Sequence, residues 1–290
     1  MNDFIFTPVK LKKSGFYSWL KTMLNDNGWR NISSKPSTDN DIFYSNGETG
    51  NDEILFRIKE YYNADVNNTI TNSAYVNLSV LPLRSYTPGV NGASGSINPS
   101  TGNSGFYNDR IAQNNVISKE SDMTVYYHCN KDRIVYIVEW PDYLGMDATF
   151  HLYGKPYNIL SKKPMTTQTV TLSGLAYSSI SPAISDIADL NSTSYFSGDL
   201  NYFSPPRFIN SNNMMFMSDI SITHKDNGFH ALVDGIFAIN SDPSVTSNSA
   251  LKGDELIDSE GRVYRITPIA RSAGSNYPAT SFPLIAFRIL

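Results

Sequence analysis

Between Met123 and Val138 apolar positions first alternate with polar ones and then close up. Met123, Val125 and Tyr127 interleave with Thr124, Tyr126 and His128, the period of two that marks a strand. Asn130-Lys131-Asp132 interrupts, and then comes Ile134-Val135-Tyr136-Ile137-Val138, apolar on both faces. Two β-rich runs around a short Asn/Asp turn predict a hairpin. Its second strand has no solvated face, so it is predicted to lie at the centre of its sheet, covered on both sides.

One cover is legible upstream. Asp3 to Lys13 reads as a short arm, apolar at Phe4, Ile5 and Phe6. Ser14 can cap a helix whose apolar positions are Phe16, Trp19, Leu20, Met23 and Leu24, one stripe at helical spacing. Asn27-Gly28 ends it, with Gly28 suited to the left-handed position after the last turn. Trp19 and Leu20 are therefore predicted to pack on Ile134–Val138. Strands are predicted at Asp41–Ser45, Glu53–Tyr62 and Ala74–Leu83, the first two joined by Asn46-Gly47 turn chemistry.

Arg84 to Lys119 breaks the pattern. It is rich in Gly, Ser and Asn, has almost no aliphatic residues before Ile111, and reads as a long loop without structure of its own. Tyr86, Phe106 and Tyr107 are the aromatic anchors such a loop would offer a neighbour. After the hairpin, Tyr143 to Pro156 reads as an irregular strand and turn. The Ser/Thr-rich stretch to Asn213 holds a possible helix at Ala183–Leu190. From Met214 onward short strands recur: Met214–Met217, Ile220–Ile222, Leu232–Ile239, a hairpin of Gly253–Ile257 with Arg262–Ile266, and a closing strand Pro283–Leu290.

Composition narrows the function classes. The 290 residues are 40% hydrophobic and 12% aromatic, enough for a sizeable core and for contact surfaces. A net charge of −4 offers no general field for nucleic acid, and Lys10, Lys12 and Lys13 form too short a basic arm to change that. No run approaches the roughly 18 apolar residues of a membrane span, and the N-terminus lacks the apolar core of a signal peptide. Cys129 is a single cysteine, read as a small buried apolar group.

Candidate chemistry is sparse. There is no G-x-S-x-G and no metal-ligand spacing around His128, His151, His224 or His230. His128 adjoins Cys129, but neighbours on a strand point to opposite faces. His224 and His230 flank Asp226-Asn227-Gly228 and could face each other across that turn. Asp254, Glu255, Asp258 and Glu260 cluster without the EF-hand spacing and read as a solvated hairpin.

Several short patterns occur together. The helix ends in Gly28-Trp29, then come Asp41-Ile42-Phe43-Tyr44-Ser45 with Gly47 and Gly50, and Ile54-Leu55-Phe56-Arg57-Ile58. Further along stand Cys129-Asn130-Lys131-Asp132-Arg133-Ile134-Val135 and Tyr143-Leu144-Gly145. Leu232-Val233-Asp234-Gly235-Ile236-Phe237 precedes Gly253-Asp254 and Gly261-Arg262-Val263-Tyr264. Together these resemble virion structural proteins of tailed bacteriophages, nearest to the neck and tail group of tail terminators, tail-completion and collar proteins. The stretches at about 84–119 and 160–213 match nothing in that pattern. The resemblance implies a ring-forming protein at a joint of the particle and carries no catalytic residues with it.

The expected fold is therefore α+β: an N-terminal helix packed on a mainly antiparallel sheet, followed by a smaller all-β C-terminal unit, barrel- or sandwich-like. The expected division is 1–160 with a long inserted loop at about 84–119, an irregular connection at 161–213, and a small β domain at 214–290. The functional expectation is a non-enzymatic structural subunit of a phage particle, a neck or tail ring joining head and tail. It would be assembled in the host cytoplasm, with itself and other head, neck or tail proteins as partners. No catalytic, cofactor or metal residue is expected, nor a membrane or specific nucleic-acid partner. Tyr86, Phe106 and Tyr107 are the interface candidates. The alternative is a tail-tip or baseplate protein binding a host-surface glycan or another virion protein. A third is an enzyme in which a histidine meets a carboxylate in a pocket.

Overall fold

The structure, a computed structural model, describes residues 4–35, 41–62, 76–91, 93–99, 107–109, 120–139, 148–155, 170–174, 194–196, 208–210, 215–224, 228–241, 253–268 and 284–290. The chain enters on β1 (Thr7–Lys12) and turns through a 3-10 segment, Lys13–Gly15, into α1 (Phe16–Asp26). Then come β2 (Arg30–Asn31), β3 (Asp41–Ser45), β4 (Ile54–Tyr62), β5 (Val76–Thr87), β6 (Ser96–Pro99) and β7 (Tyr107–Asp109). Next are β8 (Asp122–Cys129), β9 (Arg133–Glu139), β10 (Thr149–Gly154) and β11 (Val170–Gly174). The last group is β12 (Ser194–Phe196), β13 (Phe208–Asn210), β14 (Met215–His224), β15 (Gly228–Ser241), β16 (Glu255–Ile257), β17 (Val263–Pro268) and β18 (Leu284–Arg288).

These strands make three sheets, and every pairing among the described strands is antiparallel. The central sheet runs β1-β8-β9-β10-β11. A second runs β2-β3-β4-β5-β6, with β7 also on β5. The C-terminal sheet runs β12-β14-β15-β18-β17-β16, with β13 on β14. Among the described residues, one short α-helix with several sheets agrees with the α+β expectation.

β9 is the middle strand of the central sheet, and all of its residues are buried. Ile134, Tyr136 and Val138 join a core with Phe16, Leu20, Met23 and Leu24 of α1 and with Phe43, Phe56 and Ile58 of the second sheet. The other face meets the C-terminal sheet. Tyr126, beside Ile137 across the ladder, packs on Phe287, and Glu139 binds Arg265. Both covers predicted for this strand exist, and only one of them is the helix.

Local chemistry explains the turns. Asn130 holds the β8–β9 turn by accepting the N–H groups of Asp132 and Arg133 on its side-chain oxygen, each at 3.0 Å. The Trp29 indole donates to the Asn130 carbonyl at 2.7 Å, fixing the turn to the end of the helix. There, Trp29 N–H reaches Leu24 O and Gly28 N–H reaches Asn25 O, with Gly28 at φ +87°. These are the paired bonds of a Schellman ending. At the other end Gly15, not Ser14, is the cap residue, and no side chain caps the helix. Ser14 lies inside the preceding 3-10 segment, Lys13–Gly15.

Two further expectations change. The arm read at Asp3–Lys13 is largely strand: β1 pairs with β8 along its length, from Thr7↔Tyr127 to Lys12↔Asp122. Pro8, Lys10 and Lys12 alternate along β1, the edge strand of this sheet among the described strands, and discourage pairing with another chain. Lys13 is buried, and burial lowers its ammonium to about 8. The stretch read as loop from Arg84 carries β6 and β7, and β5 continues through Thr87. Within 161–213 the described residues are β11, β12 and β13, and the helix expected at Ala183–Leu190 lies outside them.

Trp19 is half-buried beside Tyr127, whereas Leu20 is fully enclosed. Leu20→Ala is expected to cost about 2–5 kcal/mol, through lost transfer energy plus a cavity between helix and sheet. Urea unfolding of the two proteins measures it. An unchanged midpoint would show that the helix does not carry the core.

Candidate functional site: the β5–β6 hairpin and its seat

The stretch expected to be a loop is a β-ribbon where described. β5 shifts register between Leu83 and Ser85, then pairs with β6 through Ser85↔Asn98, Tyr86↔Ile97 and Thr87↔Ser96. A bulge of this kind twists a strand and re-aims the residues beyond it. Tyr86 and Ile97 both pack on a small cluster of Ile42 from β3, Leu55 from β4 and Leu83 from β5. Ser85, Thr87, Ser96 and Asn98 face outward and are exposed.

Polar bonds seat the ribbon. Ser34 N–H donates to the Tyr86 hydroxyl at 2.7 Å, and the two side-chain hydroxyls lie 2.8 Å apart. Gly89 N–H donates to Ser34 Oγ at 2.5 Å. The segment carrying Ser34 is itself fixed, since Ile42 N–H donates to Ser33 Oγ at 2.9 Å and Ser33 N–H to Asn31 Oδ1 at 3.1 Å. The tip closes with Ala93 N–H on Val90 O at 3.1 Å and Asn91 in the left-handed region at φ 54°. Asn tolerates that conformation better than most residues. A side chain at Gly95 would run into the Tyr86 ring, so glycine lets the backbone cross beneath it.

The result is a held knob. Val90 stands at its tip, 75% exposed. Of the interface candidates, Tyr86 is half-buried, its ring on the Ile42 cluster and its hydroxyl on Ser34. Tyr107 sits on β7 opposite Val80, and Phe106 lies outside the described residues. Sequence reasoning missed Ser34 and Val90. Ser34 is 52 positions from Tyr86 and carries no local signal, and a lone valine among glycines and serines has no periodicity to reveal it.

The other candidate groups are dispersed. His128 and Cys129 do point to opposite faces: Cys129 packs against the main core, and burial pushes its thiol up. His128 stacks on Phe4, ring centres 3.7 Å apart, with Nδ1 3.3 Å from Ile5 O. Burial lowers the His128 pKa, the Ile5 carbonyl opposes that, and Arg133 adds to it. His151 is buried with Nδ1 3.4 Å from the Tyr153 hydroxyl, which lies 3.2 Å from that of Tyr136. The register places His224 opposite Gly228, not His230; a register shift between Ile222 and Thr223 displaces the pairing. Among the described residues no three His, Cys, Asp or Glu side chains group as metal ligands.

The acidic hairpin is not uniformly solvated. Asp258 is buried and accepts Glu260 N–H at 2.9 Å, Arg262 N–H at 3.0 Å and Arg262 Nε at 2.5 Å. Burial raises its pKa, but the Arg262 guanidinium and those backbone N–H groups outweigh it and hold the carboxyl below the usual range. Asp258 thus builds the β16–β17 turn. A second buried carboxylate, Asp41, accepts from Tyr17 and from Asn31 Nδ2 and pairs with Lys21 at 3.5 Å, tying α1 to β3.

No protein-family model matches the chain, and no curated protein matches it.

Proposed function

We propose that this chain is a structural subunit of a tailed-phage particle, a neck or tail protein that works by closing into a homo-oligomeric ring between head and tail. The observation that carries the reading is the held hairpin. A ribbon without catalytic equipment is seated by three hydrogen bonds to Ser34 and presents an apolar residue to solvent. A projection already ordered in the free chain loses little conformational freedom when a neighbour binds it. Identical subunits joined head to tail close into rings where the rotation permits. The resemblance to neck and tail proteins supplies the particle, and with it a place in the virion, assembly in the host cytoplasm and other virion proteins as partners. On the same reading residues 1–160 and 214–290 are two domains, and the C-terminal sheet belongs to a barrel or sandwich. The glycan-binding alternative gains little among the described residues, where Trp29 is fully buried and Trp19 half-buried; Trp140 lies outside them.

Replacing Pro88–Gly95 by an Asn-Gly turn leaves the Thr87↔Ser96 pairing and the Tyr86 seat in place while removing the tip. The shortened protein is expected to stay folded and monomeric where the full chain forms rings, and to fail at joining heads to tails. Sizing and an assembly assay measure this. A shortened protein that assembles as well as the full chain would reject the hairpin as the contact. A full chain that stays monomeric at high concentration and enters the particle as single copies would reject the ring.

A further inference from the structure

Asn-Gly is the dipeptide in which a side-chain amide and the next backbone nitrogen can react with each other, because glycine has no Cβ to block the approach. The chain contains it at Asn27, Asn46, Asn91 and Asn227. The reaction needs two freedoms. The Asn side chain must swing over the following peptide, and the Gly nitrogen must give up its proton. A hydrogen bond made by either group has to break first.

The fold withholds these freedoms at two positions. Asn27 Nδ2 donates to Met23 O at 2.8 Å and Gly28 N–H to Asn25 O at 3.1 Å, so both groups are engaged at the end of the helix. Asn46 is exposed, but Gly47 N–H donates to Ser45 Oγ at 3.1 Å. Ser45 is buried and its hydroxyl donates in turn to Lys131 O at 2.5 Å, which fixes that acceptor. Asp52 N–H on Asn46 O at 2.9 Å and Gly50 N–H on Gly47 O at 3.2 Å close the same turn. Asn91 differs from both. It is exposed at the hairpin tip, and its side chain bonds to no other described residue. Asn227 lies outside the described residues.

We propose that Asn91 is a site of spontaneous deamidation in the folded chain, and that Asn27 and Asn46 are held unreactive by the bonds around them. The backbone nitrogen of Gly92 attacks Cγ of Asn91 and forms a C–N bond. The side-chain amide nitrogen leaves as ammonia, carrying the proton that the attacking nitrogen released. Water then opens the resulting five-membered imide at one carbonyl or the other, giving aspartate or isoaspartate. One water enters, one ammonia leaves, and nothing is oxidised or reduced. The product places a carboxylate beside Val90, on a hairpin whose one charged residue from Arg84 to Pro99 is Arg84 itself. A charge there opposes burial of the tip against a neighbour. That consequence rests on the ring reading; the modification does not.

The folded full chain is held in mildly alkaline buffer, sampled over time, digested and mapped by mass. Conversion at Asn91 is expected to run about tenfold or more faster than at Asn27 or Asn46. In denaturing urea the three rates are expected to converge, since the same dipeptide is then free at each position. Asn91 converting no faster than Asn27 or Asn46 in the folded chain overturns the proposal. A difference that persists unchanged in urea overturns it too, because flanking sequence rather than the fold would then set the rates. Sizing of the converted chain and of Asn91→Asp, against the fresh parent, separates the consequence from the site. Both are expected to assemble less than the parent. Conversion at Asn91 with assembly unchanged would overturn the hairpin as the contact and leave the modification standing.

Discussion

Arg265→Ala is expected to destabilise the protein by about 3–5 kcal/mol, the cost of stranding a carboxylate in a buried place. Arg265 meets Glu139 through two bonds, Nη2 to Oε2 at 2.9 Å and Nε to Oε1 at 3.2 Å. Glu139 ends the central strand and is 4% exposed. The guanidinium also lies over the Tyr126 ring, 5.2 Å from its centre. This pair joins the C-terminal sheet to the middle of the central one, so its loss falls on the packing between them. Removing one partner leaves an unpaired charge, whereas replacing both removes the desolvation cost as well. The double variant Glu139→Leu/Arg265→Leu is therefore expected to recover most of the loss. Urea unfolding of the parent, Arg265→Ala and the double variant measures it. An Arg265→Ala protein within about 1 kcal/mol of the parent would show that water reaches Glu139 freely.

Gly154→Ala is expected to cost about 2–6 kcal/mol, adding a strained left-handed conformation to an overpacked contact. Gly154 ends β10 at φ +115°, where a side chain is disfavoured in any surroundings. An added Cβ would also collide with the Asp132 carbonyl oxygen and lie 2.7 Å from Arg133 Cα. Both belong to the backbone of the central hairpin, so neither can swing aside. Gly235 makes the comparison. It also has positive φ, at +68°, but its Cβ would meet the ring of Phe4 on the N-terminal segment. That obstacle is a side chain near the N-terminus rather than backbone, so it yields more readily, and Gly235→Ala is expected to cost less, about 1–3 kcal/mol. Thermal unfolding ranks the two. Equal losses would mean that conformation alone sets the cost and that the hairpin backbone yields.

The central hairpin, its Asn130 turn, the helix stripe and the ending at Gly28 were all legible in the sequence. They depend on neighbours within a few positions, where the period of side chains and the conformational freedom of Asn and Gly act directly. The full burial of β9 was legible too, because a strand apolar on both faces is stable only between two layers. Which layer would lie on its far side was not. Arg265 and Glu139 are 126 positions apart, and nothing local to either marks the other as its partner. The ribbon from Arg84 to Pro99 was hidden for a related reason. Its Gly, Ser, Asn and Pro residues have little preference for strand, and what makes them strand is pairing with β5 and the seat on Ser34. The acidic hairpin shows the same limit, since Asp258 and Glu260 look alike along the chain. Folding buries Asp258 among its turn's N–H groups and leaves Glu260 in water. Tertiary structure decided these cases because burial and long-range pairing, rather than local preference, set their free energy.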